Sequence, residues 1–287
     1  MNSSSGRKDS RKKRLLTCAC ALALASVSTR PAHADPWIPA DGHGVFDSML
    51  RYFSASNAFS TTHFGTGTYP SSHQRETQLR FTGSHGIGNR LSIEYDLRGG
   101  SLQETRHHAG QRITHSASGL EDQEIGLNYG LRQTQSFADS IAFNVVVPTG
   151  SSSQVPALGA GKAAVEPDYQ LGIARGAMFA TLVAGPRVFV DGGAVQLRTA
   201  LSLGFPVAPR FRLTGTLFFV RTVHRQQVVS VADRGEIYNL LRVGAKLEYQ
   251  PTGSFRQWRP FIGYQDSIAG KGIHAGTRIV IGCVVHY

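Results

Sequence analysis

The chain has 287 residues with 30 Lys+Arg, 19 Asp+Glu and a net charge of +11 at pH 7. Seven of the basic residues and one acid precede residue 35, which leaves 23 basic and 18 acidic residues, scattered singly, and argues against a nucleic-acid partner. After residue 35 there is a single cysteine, Cys283, so no internal disulfide can form, and no apolar run is long enough for a membrane-spanning helix.

The first element is a targeting segment. "GRKDSRKKR" (6–14) is a basic stretch, "LLTCACALALASVS" (15–28) an apolar one, and "AHA" (32–34) fits a small-x-small cleavage site. This is the layout of a secretory signal peptide, with residues 1–34 removed and residues 35–287 forming one domain.

From there the pattern has period two. In 90–98, Leu91, Ile93, Tyr95 and Leu97 oppose Ser92, Glu94, Asp96 and Arg98. In 124–132, Ile125, Leu127, Tyr129 and Leu131 oppose Glu124, Gly126, Asn128 and Gly130. The same alternation marks 194–205 and 241–250, where Arg198, Arg242, Lys246 and Glu248 lie on the polar face. It closes the chain at 277–287, where Ile279, Ile281, Val285 and Tyr287 form the apolar row against Arg278. About twelve such segments are predicted, at 43–54, 74–84, 90–100, 122–132, 137–148, 164–175, 178–190, 194–205, 210–221, 237–250, 256–266 and 274–287. Runs of roughly 9–11 residues suit a tilted bilayer crossing better than the five or six usual in globular proteins. Connections after even-numbered segments are short. Those after the first, third, fifth and ninth are long and polar, the asymmetry of an outer-membrane barrel. The 101–121 stretch, "SLQETRHHAGQRITHSASGLE", is read as one such loop. Ten aromatics, from Phe53 and Phe59 to Trp258 and Tyr287, fall near strand ends and suit interfacial girdles.

The expected fold is therefore all-β: a transmembrane antiparallel barrel of about 12 strands behind a signal peptide. The competing reading is a soluble β-sandwich or lipocalin-like barrel with the apolar faces turned inward. Alternation alone does not separate the two. The strand lengths and the Gly-rich, charged polar face favour the membrane.

A succession of short motifs then resembles a known family. "WIPADGHGVFDSMLRYFSA" (37–55) looks like an opening strand after a Trp and a Gly-rich turn. "GIGNRLSIEYDL" (86–97), "GLEDQEIGLNYGL" (119–131), "NVVVPTG" (144–150) and "LGAGKAAVEPDYQLG" (158–172) follow in order. Together they resemble the outer-membrane proteins of the MetA-pathway of phenol degradation family. Glu121, where that family has a small residue, and Pro167, inside a strand, depart from its pattern, and local irregularity is expected at both. The resemblance implies a transporter-like barrel for small aromatic or other hydrophobic compounds.

No enzyme is expected. Ser84-His85 would point to opposite faces of a strand, His107-His108 lie in a polar stretch, and no Gly-x-Ser-x-Gly elbow occurs. Neither a cofactor nor a metal site is predicted. The functional candidates are the inward charges: Arg80, Glu94, Asp96, Arg98, Arg198, Arg242, Lys246, Glu248 and Arg278. Such groups set pore selectivity or pair across the wall, and Glu94 and Asp96 are placed to pair with Arg80 and Arg98. The C-terminal row Ile279, Ile281, Val285 and Tyr287 resembles the signal read by the barrel-assembly machinery. The partners expected are outer-membrane lipid, that machinery and a small-molecule solute. The function that follows is a channel in the bacterial outer membrane. The alternatives are a non-transporting, partner-binding barrel or a barrel hydrolase.

Overall fold

The computed structural model describes residues 36–108, 111–190, 193–224 and 237–287. The expected signal peptide lies outside these residues. Thirteen strands follow in chain order. They are β1 (Gly44–Phe59), β2 (Thr68–Gly86), β3 (Leu91–His108), β4 (Gln111–Leu120), β5 (Gln123–Gln133), β6 (Phe137–Val147) and β7 (Ala164–Arg175), then β8 (Met178–Phe189), β9 (Val195–Ala208), β10 (Phe211–His224), β11 (Asn239–Tyr249), β12 (Trp258–Lys271) and β13 (His274–His286). All pairings between them are antiparallel. β1 pairs with both β2 and β13, and β2 pairs with β3, so the sheet closes on itself. β4 and β5 share one place in the wall: β4 pairs with the outer half of β3 and β5 with its inner half. The barrel is thus twelve-stranded.

The apolar rows face outward. Leu50, Leu79, Leu97, Leu127, Phe143, Ile173, Ile262 and Ile281 are all exposed, Leu127 by 50% and Ile281 by 56%. Polar residues of the opposite rows, such as Asn128, Gln170 and Arg187, are buried inside. A soluble β-protein would bury the first set and hydrate the second. The inside-out arrangement suits hydrocarbon outside and water within, and a closed barrel leaves no strand edge for lipid to meet.

The stretch 101–121 is not a loop. Most of it continues β3 and forms β4, paired from Gly99↔Leu120 to His108↔Gln111. β2 likewise begins at Thr68, within the expected first loop, and runs for 19 residues. A strand of that length rises about 60 Å, well beyond what a tilted crossing of a hydrocarbon layer of about 30 Å needs. Past the lipid both faces of a strand are wet, so the two-residue alternation that marks the lower halves fades. Phe53 and Phe59 also differ from expectation: both point inward and are buried.

Both departures from the family pattern sit at irregularities of the wall. Glu121 and Asp122 form the break between β4 and β5. Asp122 accepts backbone N–H bonds from Gly150 (3.1 Å) and Ala160 (2.7 Å), which pins the β6–β7 loop over the barrel. Burial pushes its carboxyl above the usual range despite these two donors. Pro167 stays within β7, but the β7–β8 ladder lapses around it. Pairing runs through Val165↔Val188 and resumes at Tyr169↔Ala184, a register that sets Pro167 opposite Pro186. Neither proline has an N–H to give.

Candidate functional site

Along the strands, inward side chains come from every second residue, and at mid-height they form a charged girdle. Its larger arc is a chain of alternating ion pairs. Arg80 on β2 meets Asp96 on β3 at 2.5 Å, and Arg98 bonds the same carboxylate. Arg98 also meets Glu124 on β5 at 2.8 Å. Glu124 reaches Arg187 on β8 at 2.7 Å, a chord that passes in front of β6 and β7. Arg187 pairs with Glu166 on β7, which holds Arg198 on β9 at 2.6 Å. Burying such charges costs several kcal/mol each, so the arrangement holds only because each carboxylate has two cationic partners.

The remaining arc, β11 through β13 to β1, is different. Arg242, Arg278 and Arg51 project inward there, and among the described residues none makes an ion pair. Arg51 Nη1 donates to Gln78 at 2.6 Å, and Gln78 in turn donates to Glu121. The guanidinium of Arg278 lies 4.8 Å from the centroid of Phe53, and that of Arg242 lies 5.8 Å from that of Phe218. Arg198 covers Phe218 as well, at 5.4 Å.

Glu94 does not pair with an arginine. It accepts from Asn128 Nδ2 at 2.8 Å, nearer the short turns. Asp168 accepts from Asn144 at 3.2 Å, so one side of the lumen presents carboxylates held by amides. At the short-turn rim, Glu248 has Lys246 at 3.7 Å, Arg212 at 3.8 Å and Arg259 at 3.9 Å around it. All nine inward charges named from the sequence lie on the inner face. Arg51, Glu124, Glu166, Asp168 and Arg187 complete the girdle and were not singled out. Their signal was the same alternation, visible in "AVEPDYQL" (164–171) and "AGPRVFV" (184–190) but interrupted by the two prolines.

A strap lies across the short-turn mouth. Residues 36–40 leave the β1 side, where Asp41 bridges Gly86, and reach β5 and the β5–β6 turn. Trp37 Nε1 donates to Thr134 O at 2.8 Å, and Gln133 Nε2 donates to Pro36 O at 2.7 Å. The indole is 5% exposed and lies against Gly172, where a Cβ would come within 2.3 Å of the ring. Between strap and girdle is a cavity of about 510 Å³, lined by Trp37, Glu94, Asp96, Asp168, Arg198 and Phe218 among others.

On the outer face, Ile279 and Ile281 are exposed at mid-strand. Tyr287 exchanges backbone hydrogen bonds with Gly44, and its ring stacks on His85 at 5.9 Å. Ser84 faces the lumen and His85 the outside. The side chains of His107 and His108 lie outside the described residues.

Fold and lining together define the class: an outer-membrane β-barrel. Among solved structures the chain is similar to an outer membrane channel from Pseudomonas putida F1, with a TM-score of 0.67 and 14% identity, covering 88% of this chain and 98% of that one. It is similar to the NanC porin, with a TM-score of 0.53 and 12% identity, over 84% and 99% of the two chains. The translocator domain of the autotransporter NalP from Neisseria meningitidis matches with a TM-score of 0.52 and 10% identity, over 97% and 95%. At these identities the likeness is one of fold. No family model matches the chain, and no curated protein matches it.

Proposed function

We propose that this chain is a narrow channel for small molecules in the bacterial outer membrane, and that it passes anionic and polar solutes more readily than cations. The observation that carries the reading is the girdle within a closed, lipid-facing wall. One arc is neutralised by ion pairs, while the arc of Arg242, Arg278 and Arg51 leaves positive potential in the lumen. Charge held at a constriction sets which ions enter. Two of the similar folds belong to a channel and a porin, which supports transport over catalysis. The resemblance to the MetA-pathway family adds small aromatic compounds to the solute classes. The charged lining suits those that carry an anionic or hydroxyl group. In this reading a cleaved signal peptide directs export, and the assembly machinery inserts the barrel through the row Ile279, Ile281, Val285 and Tyr287.

The test is reconstitution in planar bilayers under a tenfold KCl gradient. The expected result is channel conductance with a reversal potential of the sign set by chloride. No conductance, together with no solute flux in liposomes, overturns the channel. A second reading draws on β2, β3 and β4, which run beyond the lipid and give a partner a rigid surface. Deleting residues 103–116 abolishes partner capture without changing conductance if that reading holds.

A further inference from the structure

The two arcs of the girdle differ in what their guanidiniums have for partners. On the paired arc every guanidinium has a carboxylate. On the other, Nε and Nη1 of Arg278 and Nε of Arg242 are shielded from solvent and have no hydrogen-bond partner among the described residues. Three like charges, Arg51, Arg242 and Arg278, lie within electrostatic reach of one another, with Arg80 beside them. Glu76 is the carboxylate that acts on all three, and it makes no ion pair with any of them among the described residues. Tyr238 is the other titratable group facing Arg242 and Arg278. Even the amide oxygen of Gln265, on the intervening strand β12, is buried without a donor. Protein interiors rarely leave such groups unsatisfied, and charged ones cost most.

The geometry is also one of preorganisation. The guanidiniums of Arg278 and Arg242 lie over the Phe53 and Phe218 rings, contacts that favour the charged group and restrict its rotation. A guanidinium held over a ring face keeps N–H groups for an acceptor, and the edge of its fork matches the paired oxygens of a carboxylate. Phe218 lines the lumen cavity and places the cluster at its edge.

We propose that Arg51, Arg242 and Arg278 form a binding station for the carboxylate of a small organic anion in transit. The station rests on the channel reading and names the solute class for it. The anion supplies the acceptors that Arg242 and Arg278 lack and offsets the repulsion among the three cations. On leaving, it meets Lys246 on β11, then Arg212 and Arg259 at the short-turn rim, so the basic side of the lumen continues to the mouth.

The experiment uses the full-length protein in planar bilayers with benzoate, benzyl alcohol and inorganic phosphate as probes. Benzoate is expected to interrupt the KCl current in a concentration-dependent way, and benzyl alcohol, its neutral counterpart, is not. In Arg242→Gln/Arg278→Gln, with folding verified by heat-modifiable gel migration, the half-blocking benzoate concentration is expected to rise at least tenfold. Arg112→Gln, on β4 beyond the membrane, keeps the parent value. Benzoate block of unchanged strength in the double variant overturns the station while leaving the channel standing. So does a conducting parent that benzoate does not block. Block by phosphate without block by benzoate overturns the carboxylate assignment. If the parent does not conduct, the channel reading fails, and calorimetry of benzoate binding to the folded protein in detergent decides the station separately: binding lost in the double variant supports it, and no binding to the parent sinks it.

Discussion

At Glu166 a single carboxylate holds two guanidiniums, those of Arg187 and Arg198. Its bond to Arg187 also crosses the β7–β8 seam beside Pro167 and Pro186, where backbone bonds are missing. Among the described residues, Glu166→Gln leaves Arg198 on β9 without a carboxylate and Arg187 on β8 with Glu124 alone. Breaking one member out of a buried pair costs about 3–5 kcal/mol, and replacing both partners costs far less. The unfolding temperature seen in heat-modifiable gel migration is expected to fall in Glu166→Gln and to recover in part in Glu166→Gln/Arg187→Gln. No recovery would mean that the pair does not act as a unit. The sequence shows which charges face inward, because alternation assigns faces. It does not show their partners. Arg80 and Asp96 are neighbours by register, but Glu124 and Arg187 are separated by two strands, and only closure of the barrel brings them together. Glu94 was placed to pair with an arginine and instead has an amide, for the same reason.

Two elements carry predictions of their own. The strap depends on a glycine across the barrel: a side chain at 172 would occupy the place of the Trp37 ring. Gly172→Val is expected to displace the strap and raise single-channel conductance about twofold, as is Trp37→Ala. An unchanged conductance in both would show that the strap does not restrict flow. The β7–β8 seam responds in the opposite sense. Pro167→Val/Pro186→Val returns two N–H groups to the ladder, each bond contributing about 0.5–1.5 kcal/mol. The gel-shift transition should move upward, and a lower transition would refute the seam as a weakness. The strands crossing lipid were legible because one face meets hydrocarbon and the other water. The extension of β2, β3 and β4 was not, because water surrounds both faces and the pairing is held mainly by backbone bonds. The strap has no periodicity at all, and Trp37 beside Pro36 and Pro39 is its one visible trace.

For the molecule as a whole, the decisive property is which face meets the bilayer. Arginine on the lipid side of a barrel at mid-depth costs about 2–4 kcal/mol. Ile281→Arg should therefore reduce the folded fraction in the membrane, and Arg278→Ala should not, as judged by heat-modifiable migration. Cys283, on the outer face of β13, should react slowly with a water-soluble maleimide in membranes and rapidly once the protein is unfolded. Fast labelling in membranes would turn the barrel inside out. The girdle bears on how such a wall comes into being. While the sheet is still open, the hairpin β7–β8 carries Glu166, Asp168 and Arg187 at its midpoint; Glu166 and Arg187 can meet within it, but Glu124 on β5, Asn144 on β6 and Arg198 on β9 are not yet in reach. Sliding that hairpin alone into hydrocarbon would set three charges at the centre of the bilayer. The lowest route keeps the inner face curled around water from the start, so that curvature and insertion advance together. The order of assembly is thus constrained by side chains that never touch the lipid in the finished protein.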